Sequence, residues 1–147
     1  VKIVADSQSS SQIGNIARFK STDLITPTER EARVSLRNNQ DGLEVLANNL
    51  LAESNAKNML LKIGEEGVIV YSSSSANGIV ADQINALNFS PVDVAGAGDV
   101  MLVVTSLALT NNSSIWISAY LGSLAAAIQV SRLGNKPLTK EELINYI

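Results

Sequence analysis

Short apolar runs separated by polar segments dominate the first half of the chain. The runs at residues 1–5, 23–25, 58–63 and 68–71 predict strands, because each is rich in β-branched residues or leucine and ends at turn-forming residues. Between them, leucine and alanine recur at helical spacing over residues 41–54, which predicts an amphipathic helix. The polar segments predict a loop with one helical turn at 6–21, a turn at 64–67 and a loop at 72–77.

Two capping motifs predict where helices begin. Thr26 has the character of an N-cap residue, Pro27 that of a first helical residue, and Glu29 closes a capping box. A second capping box, from Thr139 to Glu142, predicts a helix at the end of the chain.

The last third of the chain is predicted to be helical. Residues 98–109 are apolar on most sides, so we expect a buried helix there. A second helix is predicted over residues 114–132, where the small residues at 122–127 allow close helix packing. Because strands alternate with helices, the expected fold class is α/β, with a layered architecture and a mostly parallel sheet. In such sheets ligands bind at the carboxyl ends of the strands.

Segment 93–99, with the sequence DVAGAGD, carries the clearest chemistry. Gly96 and Gly98 allow the backbone to approach a ligand closely, and the helix that follows begins with amide N–H groups free to hold anionic oxygens. Asp99 stands beside this anion hole, where a general base could take a proton from a hydroxyl. The alternative is that Asp99 only complements the helix dipole, but such a residue does not need two glycines ahead of it. The pattern favours phosphoryl transfer.

Composition excludes several kinds of site. The 147 residues include no histidine and no cysteine, so a Ser-His-Asp or Cys-His site and a thiolate metal site are impossible within this chain. Segment 93–99 also lacks the lysine and hydroxyl residue of a Walker A loop. Carboxylates, basic side chains, hydroxyls and backbone dipoles remain, and phosphoryl transfer runs mainly on these groups.

The net charge, the absence of a long apolar run and the first residues of the chain suggest which partners and which cellular location to expect. A net charge of −3 predicts no nucleic-acid partner. No run approaches the roughly 18 apolar residues of a spanning helix, so we expect no membrane partner and a cytoplasmic location. Because the chain opens on a strand with no methionine, we expect it to be the later part of a longer protein. A processed terminus is the alternative.

The DVAGAGD segment resembles the D-T-x-G-A-G-D signature of the ribokinase-like, or PfkB, carbohydrate kinases. The resemblance implies that the last aspartate is the base that deprotonates a sugar hydroxyl and that the backbone amides before it form the anion hole. These catalytic roles fall on Gly96, Ala97, Gly98 and Asp99. The resemblance also makes Asp93 a candidate ligand for a monovalent cation. Val94 replaces the threonine of the signature, which removes a hydroxyl and leaves the catalytic positions intact.

Two upstream segments resemble elements of the same family, in the same order. Residues 24–31, LITPTERE, are similar to its L-x-T-P-N-x-x-E segment, with Thr28 in place of the asparagine. This implies that Glu31 holds magnesium through water and that Thr28 belongs to the nucleotide site. Residues 61–67, LKIGEEG, resemble its T-x-G-x-x-G segment, which implies contacts to the nucleotide phosphates from Lys62, Gly64 and Gly67.

Each of these residues has a structural alternative. Glu31 is equally compatible with a solvated carboxylate on a helix face, and Lys62 with an exposed lysine at a strand end. Gly64 and Gly67 are equally compatible with plain hairpin glycines. The small residues at 125–130 indicate tight helix packing rather than a binding element.

The heptose-7-phosphate kinase branch, which includes the kinase domains of bifunctional ADP-heptose synthases, is the branch that the chain resembles. Residues 26–33 and 123–135 are similar to it. Residues 4–8 resemble its strand ending in an acidic loop, with Asp-Ser-Gln where many members have Asp-Pro-Lys. The resemblance implies that residues 1–147 form the C-terminal, nucleotide-binding portion of a ribokinase-like kinase domain, without the N-terminal sugar-binding portion and lid.

The expected function is transfer of the ATP γ-phosphoryl group to a sugar hydroxyl, with heptose 7-phosphate as the acceptor. The resemblance implies ATP, Mg²⁺ and a monovalent cation as cofactors, a small sugar or sugar phosphate as substrate, and a homodimer formed through parts absent from this chain. Two alternatives stay open. One is a ribokinase-like kinase for another small substrate, such as ribose, fructose phosphate, adenosine or a vitamin. The other is a non-catalytic nucleotide-binding module or fragment.

Overall fold

A computed structural model of the chain describes residues 1–7, 14–75 and 78–147. These residues divide into two compact units. The first comprises Val1–Gly64 and Val68–Gln83, and the second comprises Glu65–Gly67 and Ile84–Ile147. The predicted loops at 6–21 and 72–77 extend partly outside the described residues. Ile16–Arg18 forms the single helical turn expected in the first loop.

The strands form one five-stranded sheet in the order β1-β2-β3-β4-β5 within the described part of the chain. β1 pairs with β2 in parallel, and β2 with β3 in parallel, whereas β3 and β4 are antiparallel. The prediction of an α/β fold with a mostly parallel sheet is confirmed. The strands are β1 (Val4–Ala5), β2 (Leu24–Ile25), β3 (Asn58–Lys62), β4 (Val68–Ser75) and β5 (Gly78–Ile84).

Two helices belong to the first unit, α1 (Glu29–Leu36) and α2 (Leu43–Ser54). The apolar face of α2, which includes Leu46 and Leu50, is fully buried in one cluster with Ile25 of β2. The helix predicted over residues 41–54 is therefore confirmed, with its first residue at Leu43.

The start predicted for the first helix is wrong. The helix does not begin at Thr26 with Pro27 as its first residue and Glu29 closing the box. Thr28 is the N-cap, and its Oγ1 accepts a hydrogen bond from Glu31 N at 3.2 Å. Glu31 Oε2 in turn accepts from Thr28 N at 2.7 Å, which completes the capping box two residues later than predicted.

Sheet pairing explains this shift. The carbonyl of Pro27 accepts a hydrogen bond from Lys62 N at 2.8 Å, and Thr28 forms a parallel bridge with Lys62. The backbone therefore stays extended beyond β2, and Thr26 cannot act as a helix cap. Its hydroxyl donates instead to Asp6 Oδ1 at 3.0 Å.

Three helices form most of the second unit, α3 (Ala97–Thr110), α4 (Ile115–Val130) and α5 (Lys140–Tyr146). The close packing predicted for the small residues of α4 is confirmed. A Cβ placed on Gly122 would lie 2.1 Å from Thr105 Oγ1 and 3.0 Å from the carbonyl oxygen of Met101. The capping box from Thr139 to Glu142 is also confirmed at the start of α5.

Burial of α3 was overestimated by the hydrophobic pattern. Thr105 and Leu109 are buried, but Val103 is 55% exposed and Leu107 is 60% exposed. Within its own unit, α3 packs on α4, which covers only one side of a helix that is apolar all round.

The predicted loop at 72–77 is also wrong in its first part. β4 continues to Ser75, and Ser73 N donates to the Lys57 carbonyl at 2.8 Å. Hydrogen bonds to β3 and to Lys57, which precedes it, extend the strand beyond its apolar residues. In the described part of the chain, no helix combines the length and the apolar character needed to cross a membrane.

Candidate functional site

The carboxyl ends of the parallel strands bring Asp6, Thr28 and Lys62 together in the first unit. Lys62 Nζ lies 3.3 Å from Asp6 Oδ1, and the two side chains are only 16% and 15% exposed. Lys62 is therefore not an exposed lysine at a strand end. The likeness of residues 4–8 to an acidic loop of the family gives Asp6 no role, and its place directly after β1 is the signal that could have found one.

A cavity of about 590 Å³ lies beside this strand edge. It falls within the range of roughly 300–1,000 Å³ that is common for small-molecule sites. Basic side chains outnumber acidic ones in its lining, which favours an anionic ligand. Its lining includes Thr28, Glu29, Arg30, Arg33, Lys62 and Gly64, so the structure brings together three of the residues predicted to bind the nucleotide.

Arg33 contributes to the cavity wall as a fixed group. Its Nε donates to Glu29 Oε1 at 2.8 Å, and its Nη1 donates to the carbonyl of Asp41 at 3.0 Å. These contacts hold the guanidinium in place. Arg30 is exposed at the same wall.

Glu31 is only 5% exposed and is not a solvated carboxylate on a helix face. Its Oε2 accepts hydrogen bonds from Thr28 N at 2.7 Å and from Thr28 Oγ1 at 2.9 Å. The residues described include no cluster of three or more acidic, histidine or cysteine side chains that could hold a metal by themselves. One carboxylate fits a hydrated magnesium ion, which proteins usually bind through few carboxylates together with substrate phosphates.

The two predicted phosphate glycines differ in their surroundings. Gly64 has φ +67° and open space where a Cβ would be, and it lies in the cavity wall. Gly67, in the second unit, has φ +102°, and a Cβ there would lie 2.2 Å from the Ile84 carbonyl oxygen and 2.6 Å from Ala86 N. Backbone packing alone therefore requires glycine at position 67.

The glycine-rich turn opens α3 without a side-chain cap. Gly96, the N-cap residue, has φ 78°, a left-handed conformation that suits glycine. Ala97 N donates to the Val94 carbonyl at 3.3 Å, so this amide is engaged within the turn. Gly98 and Asp99 occupy the next two positions of the first helical turn, where amides have no partner within the helix. Asp99 is exposed beside them.

Asp93 orders the same turn from its other end. Its Oδ1 accepts a hydrogen bond from Ala95 N at 2.9 Å, and its Oδ2 accepts one from Gly134 N at 3.0 Å. These hydrogen bonds, first from Ala95 and then from Gly134, lower the pKa of Asp93. The ionised carboxylate therefore ties the turn to the loop that follows α4.

Gln129 makes a second link between these segments, and no pattern in the sequence predicts its role. Its side chain is fully buried, and its Nε2 lies 3.4 Å from the Ala95 carbonyl oxygen and 3.3 Å from that of Gly134. The only available signal is a polar amide within the small and apolar residues of α4. Asn135 adds a steric contact, since a Cβ on Gly96 would lie 2.2 Å from its Oδ1.

Sequence relatives cover most of the chain. The bifunctional protein HldE of Desulfatibacillum aliphaticivorans is 30% identical over 131 residues, which span 86% of this chain and 26% of that protein. The bifunctional protein HldE of Koribacter versatilis is 28% identical over 139 residues, which span 90% of this chain and 27% of that protein. The chain thus spans about a quarter of the length of the curated relatives it matches.

Solved structures share the fold. Ribokinase from Thermotoga maritima superposes with a TM-score of 0.80 at 25% identity, over 99% of this chain and 48% of that chain. Phosphofructokinase-2 from Escherichia coli, in complex with potassium, gives a TM-score of 0.80 at 16% identity, over 99% of this chain and 46% of its own. The second likeness shows the fold alone. The model of the pfkB family carbohydrate kinases matches residues 2–141, and the chain belongs to this family.

Proposed function

We propose that this chain is the C-terminal, nucleotide-binding portion of an ATP-dependent kinase that phosphorylates a sugar hydroxyl, with heptose 7-phosphate as the acceptor. Membership of the pfkB family supports the reaction class, and the names of the HldE relatives support the acceptor. The observation that carries the proposal is the opening of α3. There an uncapped helix start, preceded by the left-handed Gly96, presents the amides of Gly98 and Asp99 beside the exposed Asp99 carboxylate.

The chemistry proposed for this turn is proton removal and charge stabilisation. The Asp99 carboxylate takes the proton from the sugar hydroxyl, whose oxygen forms a bond to the γ-phosphorus as the bond from that phosphorus to the bridging oxygen of ADP breaks. The N–H groups of Gly98 and Asp99 stabilise the negative charge on the transferred group. The hydrogen bonds that Asp93 and Gln129 make to Ala95 keep these amides in place before substrate binds.

The nucleotide phosphates are assigned to Thr28, Lys62 and Gly64 of the first unit. The excess of basic side chains around the 590 Å³ cavity supports this assignment for the residues of the first unit. The Asp6 partner holds the Lys62 ammonium in position. Magnesium, when bound with ATP, supplies neutralisation of phosphate charge, and Glu31 would hold one of its water molecules.

The test compares Asp99→Asn with Glu141→Gln in the longer protein that contains this chain. Both residues are exposed and lie in the first turn of a helix, so both changes remove a similar interaction with the helix dipole. Loss of a general base lowers the rate by about 10²–10⁴-fold. We expect Asp99→Asn to lose turnover to this extent and to retain Mg-ATP binding by calorimetry, with Glu141→Gln unchanged in both. Near-normal turnover of Asp99→Asn would exclude it as the base.

A non-catalytic nucleotide-binding module is the second candidate. The observation that favours it is the short span of the chain, about a quarter of the length of its relatives. Binding of Mg-ATP by the longer protein without phosphorylation of any sugar would support this candidate. Phosphorylation of ribose or fructose 6-phosphate in preference to heptose 7-phosphate would support the proposed kinase activity but assign it a different acceptor.

A further inference from the structure

A monovalent cation at Asp93 would need oxygen atoms that face it. In the part of the chain that the structure describes, both carboxylate oxygens of Asp93 already accept backbone N–H groups, from Ala95 at 2.9 Å and from Gly134 at 3.0 Å. The carbonyl oxygens of the same two residues face Gln129 Nε2 at 3.4 Å and 3.3 Å, and that of Gly134 also accepts from Lys136 N at 3.0 Å. Each of these oxygens has a further lone pair, but Gln129 Nε2 occupies the place between the two carbonyls that a cation bridging them would need. In this respect the residues present do not fit an additional cation.

The orientation of the Gln129 amide is fixed by its other neighbour. Arg132 Nη2 donates to Gln129 Oε1 at 3.0 Å. A guanidinium carries donors and no acceptor, so the amide oxygen must face Arg132 and the NH2 group must face the two carbonyls. Arg132 is itself held by Glu142 Oε1 at 2.7 Å and by the Lys136 carbonyl at 2.8 Å.

Burying the Gln129 side chain is unfavourable unless its amide group makes hydrogen bonds. The side chain is fully buried among the small and apolar residues of α4. Burying an amide without hydrogen bonds costs free energy, whereas an aliphatic side chain at this point of the helix would cost none. Both ends of the Gln129 amide have partners, and the NH2 group presents partial positive charge to two carbonyl oxygens, as a cation would.

We infer that Gln129 is a positioning residue that replaces a monovalent cation, holding the turn at 93–99 to the loop after α4 by bridging the carbonyls of Ala95 and Gly134. Asp93 bridges the N–H groups of the same two residues. The turn is therefore ordered by the protein alone. If the proposed function holds, it follows that Mg-ATP binding and phosphoryl transfer do not depend on potassium.

The test follows unfolding of the chain in potassium chloride and in tetramethylammonium chloride at equal ionic strength, without nucleotide. Trp116 in α4 is the only tryptophan of the chain, so its fluorescence reports on this unit. We expect equal unfolding midpoints for the wild type in the two salts. Gln129→Ala leaves the Ala95 carbonyl without its side-chain donor and the Gly134 carbonyl with Lys136 N alone, and we expect a lower midpoint in tetramethylammonium that potassium raises by about 3 °C. Ser123→Ala removes a buried hydroxyl without a partner from the same helix and controls for core substitution.

Two results would overturn the inference. One is a rise of the wild-type midpoint that is specific to potassium, and the other is a Gln129→Ala midpoint as insensitive to potassium as the wild type. If Gln129→Ala does not fold, Gln129→Glu replaces it. One carboxylate oxygen keeps Arg132 as its partner and the other faces two carbonyl oxygens, and we expect potassium between these oxygens to raise the midpoint. Since no nucleotide is present, these results are independent of whether the chain binds ATP.

Discussion

Gly64 and Gly67 have the same conformational type and different surroundings. Both have positive φ, +67° and +102°, but a Cβ meets open space at Gly64 and the Ile84 carbonyl oxygen at 2.2 Å at Gly67. We expect Gly64→Ala to cost about 1 kcal/mol from the left-handed backbone. Gly67→Ala should cost at least twice that, because backbone must move. Urea unfolding of the two variants measures the difference, and equal costs would contradict it.

The Asp23 carboxylate makes stability depend on pH. It accepts hydrogen bonds from Ile3 N at 2.9 Å and from Lys57 Nζ at 2.9 Å. The Ile3 hydrogen bond first, and then Lys57, lowers the pKa of Asp23. The free energy of unfolding that this group contributes is therefore complete above the unfolded pKa of about 3.9 and is lost as pH falls through the lower folded pKa.

We therefore expect acidification below about pH 5 to destabilise the wild type more than Asp23→Asn, because the variant has no carboxylate to protonate. Unfolding free energies measured across this range provide the test. Asp82→Asn, at an exposed aspartate, is the control and should follow the wild type. A difference between wild type and Asp23→Asn that does not change with pH would contradict the assignment.

At the level of single residues, the sequence predicts those parts of the site that are local. Gly96 and Asp99 lie within one short segment, and their types alone indicate a turn and a helix start. Asp6 and Gln129 were missed because their partners are distant in the chain, 56 residues away for Asp6–Lys62 and 34 for Gln129–Ala95. Only the fold brings these groups together.

At the level of elements, α1 shows how tertiary contacts choose between local signals. The sequence contains two overlapping capping patterns, one from Thr26 to Glu29 and one from Thr28 to Glu31. They are chemically equivalent, so propensity cannot separate them. The hydrogen bond from Lys62 N to the Pro27 carbonyl keeps the backbone of the first pattern extended beside the sheet. The helix therefore begins at the second pattern.

The selected cap can be tested by substitution. Thr28→Ala removes the hydroxyl that accepts from Glu31 N, and we expect a loss of about 1 kcal/mol in the free energy of unfolding. Glu29→Gln should cost less than about 0.5 kcal/mol, since it only weakens a partly exposed pair with Arg33. Urea unfolding gives both values. A larger loss of unfolding free energy for Glu29→Gln than for Thr28→Ala would favour a helix that begins with Thr26 as its N-cap.

The contact between α3 and α4 gives a second prediction for elements. Gly122→Ala places a methyl group 2.1 Å from Thr105 Oγ1, so it should destabilise the second unit. The Thr105 hydroxyl is buried without a hydrogen-bond partner, and Thr105→Ala should therefore relieve the clash in the double variant. Trp116 fluorescence in urea measures the effect. Purely additive losses would show that the two positions do not interact.

At the scale of the whole molecule, alternation of strands and helices predicts the α/β class, because each element has its own hydrophobic period. The same pattern does not predict which apolar faces are covered. Val103 and Leu107 have the composition of core residues, but exposure depends on what packs against α3. The division into two compact units is likewise a property of contacts rather than of composition.

The short span of the chain leads to a prediction for the whole molecule. Since the chain spans about a quarter of the length of its relatives, we expect it to bind Mg-ATP by calorimetry without phosphorylating a sugar. The longer protein should do both. Sugar phosphorylation by residues 1–147 alone would show that the acceptor site lies within them.

The Glu31 carboxylate, described as a helix cap, would couple folding to ligand binding if it holds a magnesium-bound water as proposed. Its Oε2 accepts the Thr28 amide, so an ion or water that draws this oxygen away removes one half of the capping box at the start of α1. Amide hydrogen exchange at Thr28 reports this competition directly. Faster exchange at that one amide in Mg-ATP would mean that the ligand takes the carboxylate from the helix, and slower exchange would mean that cap and ligand share it.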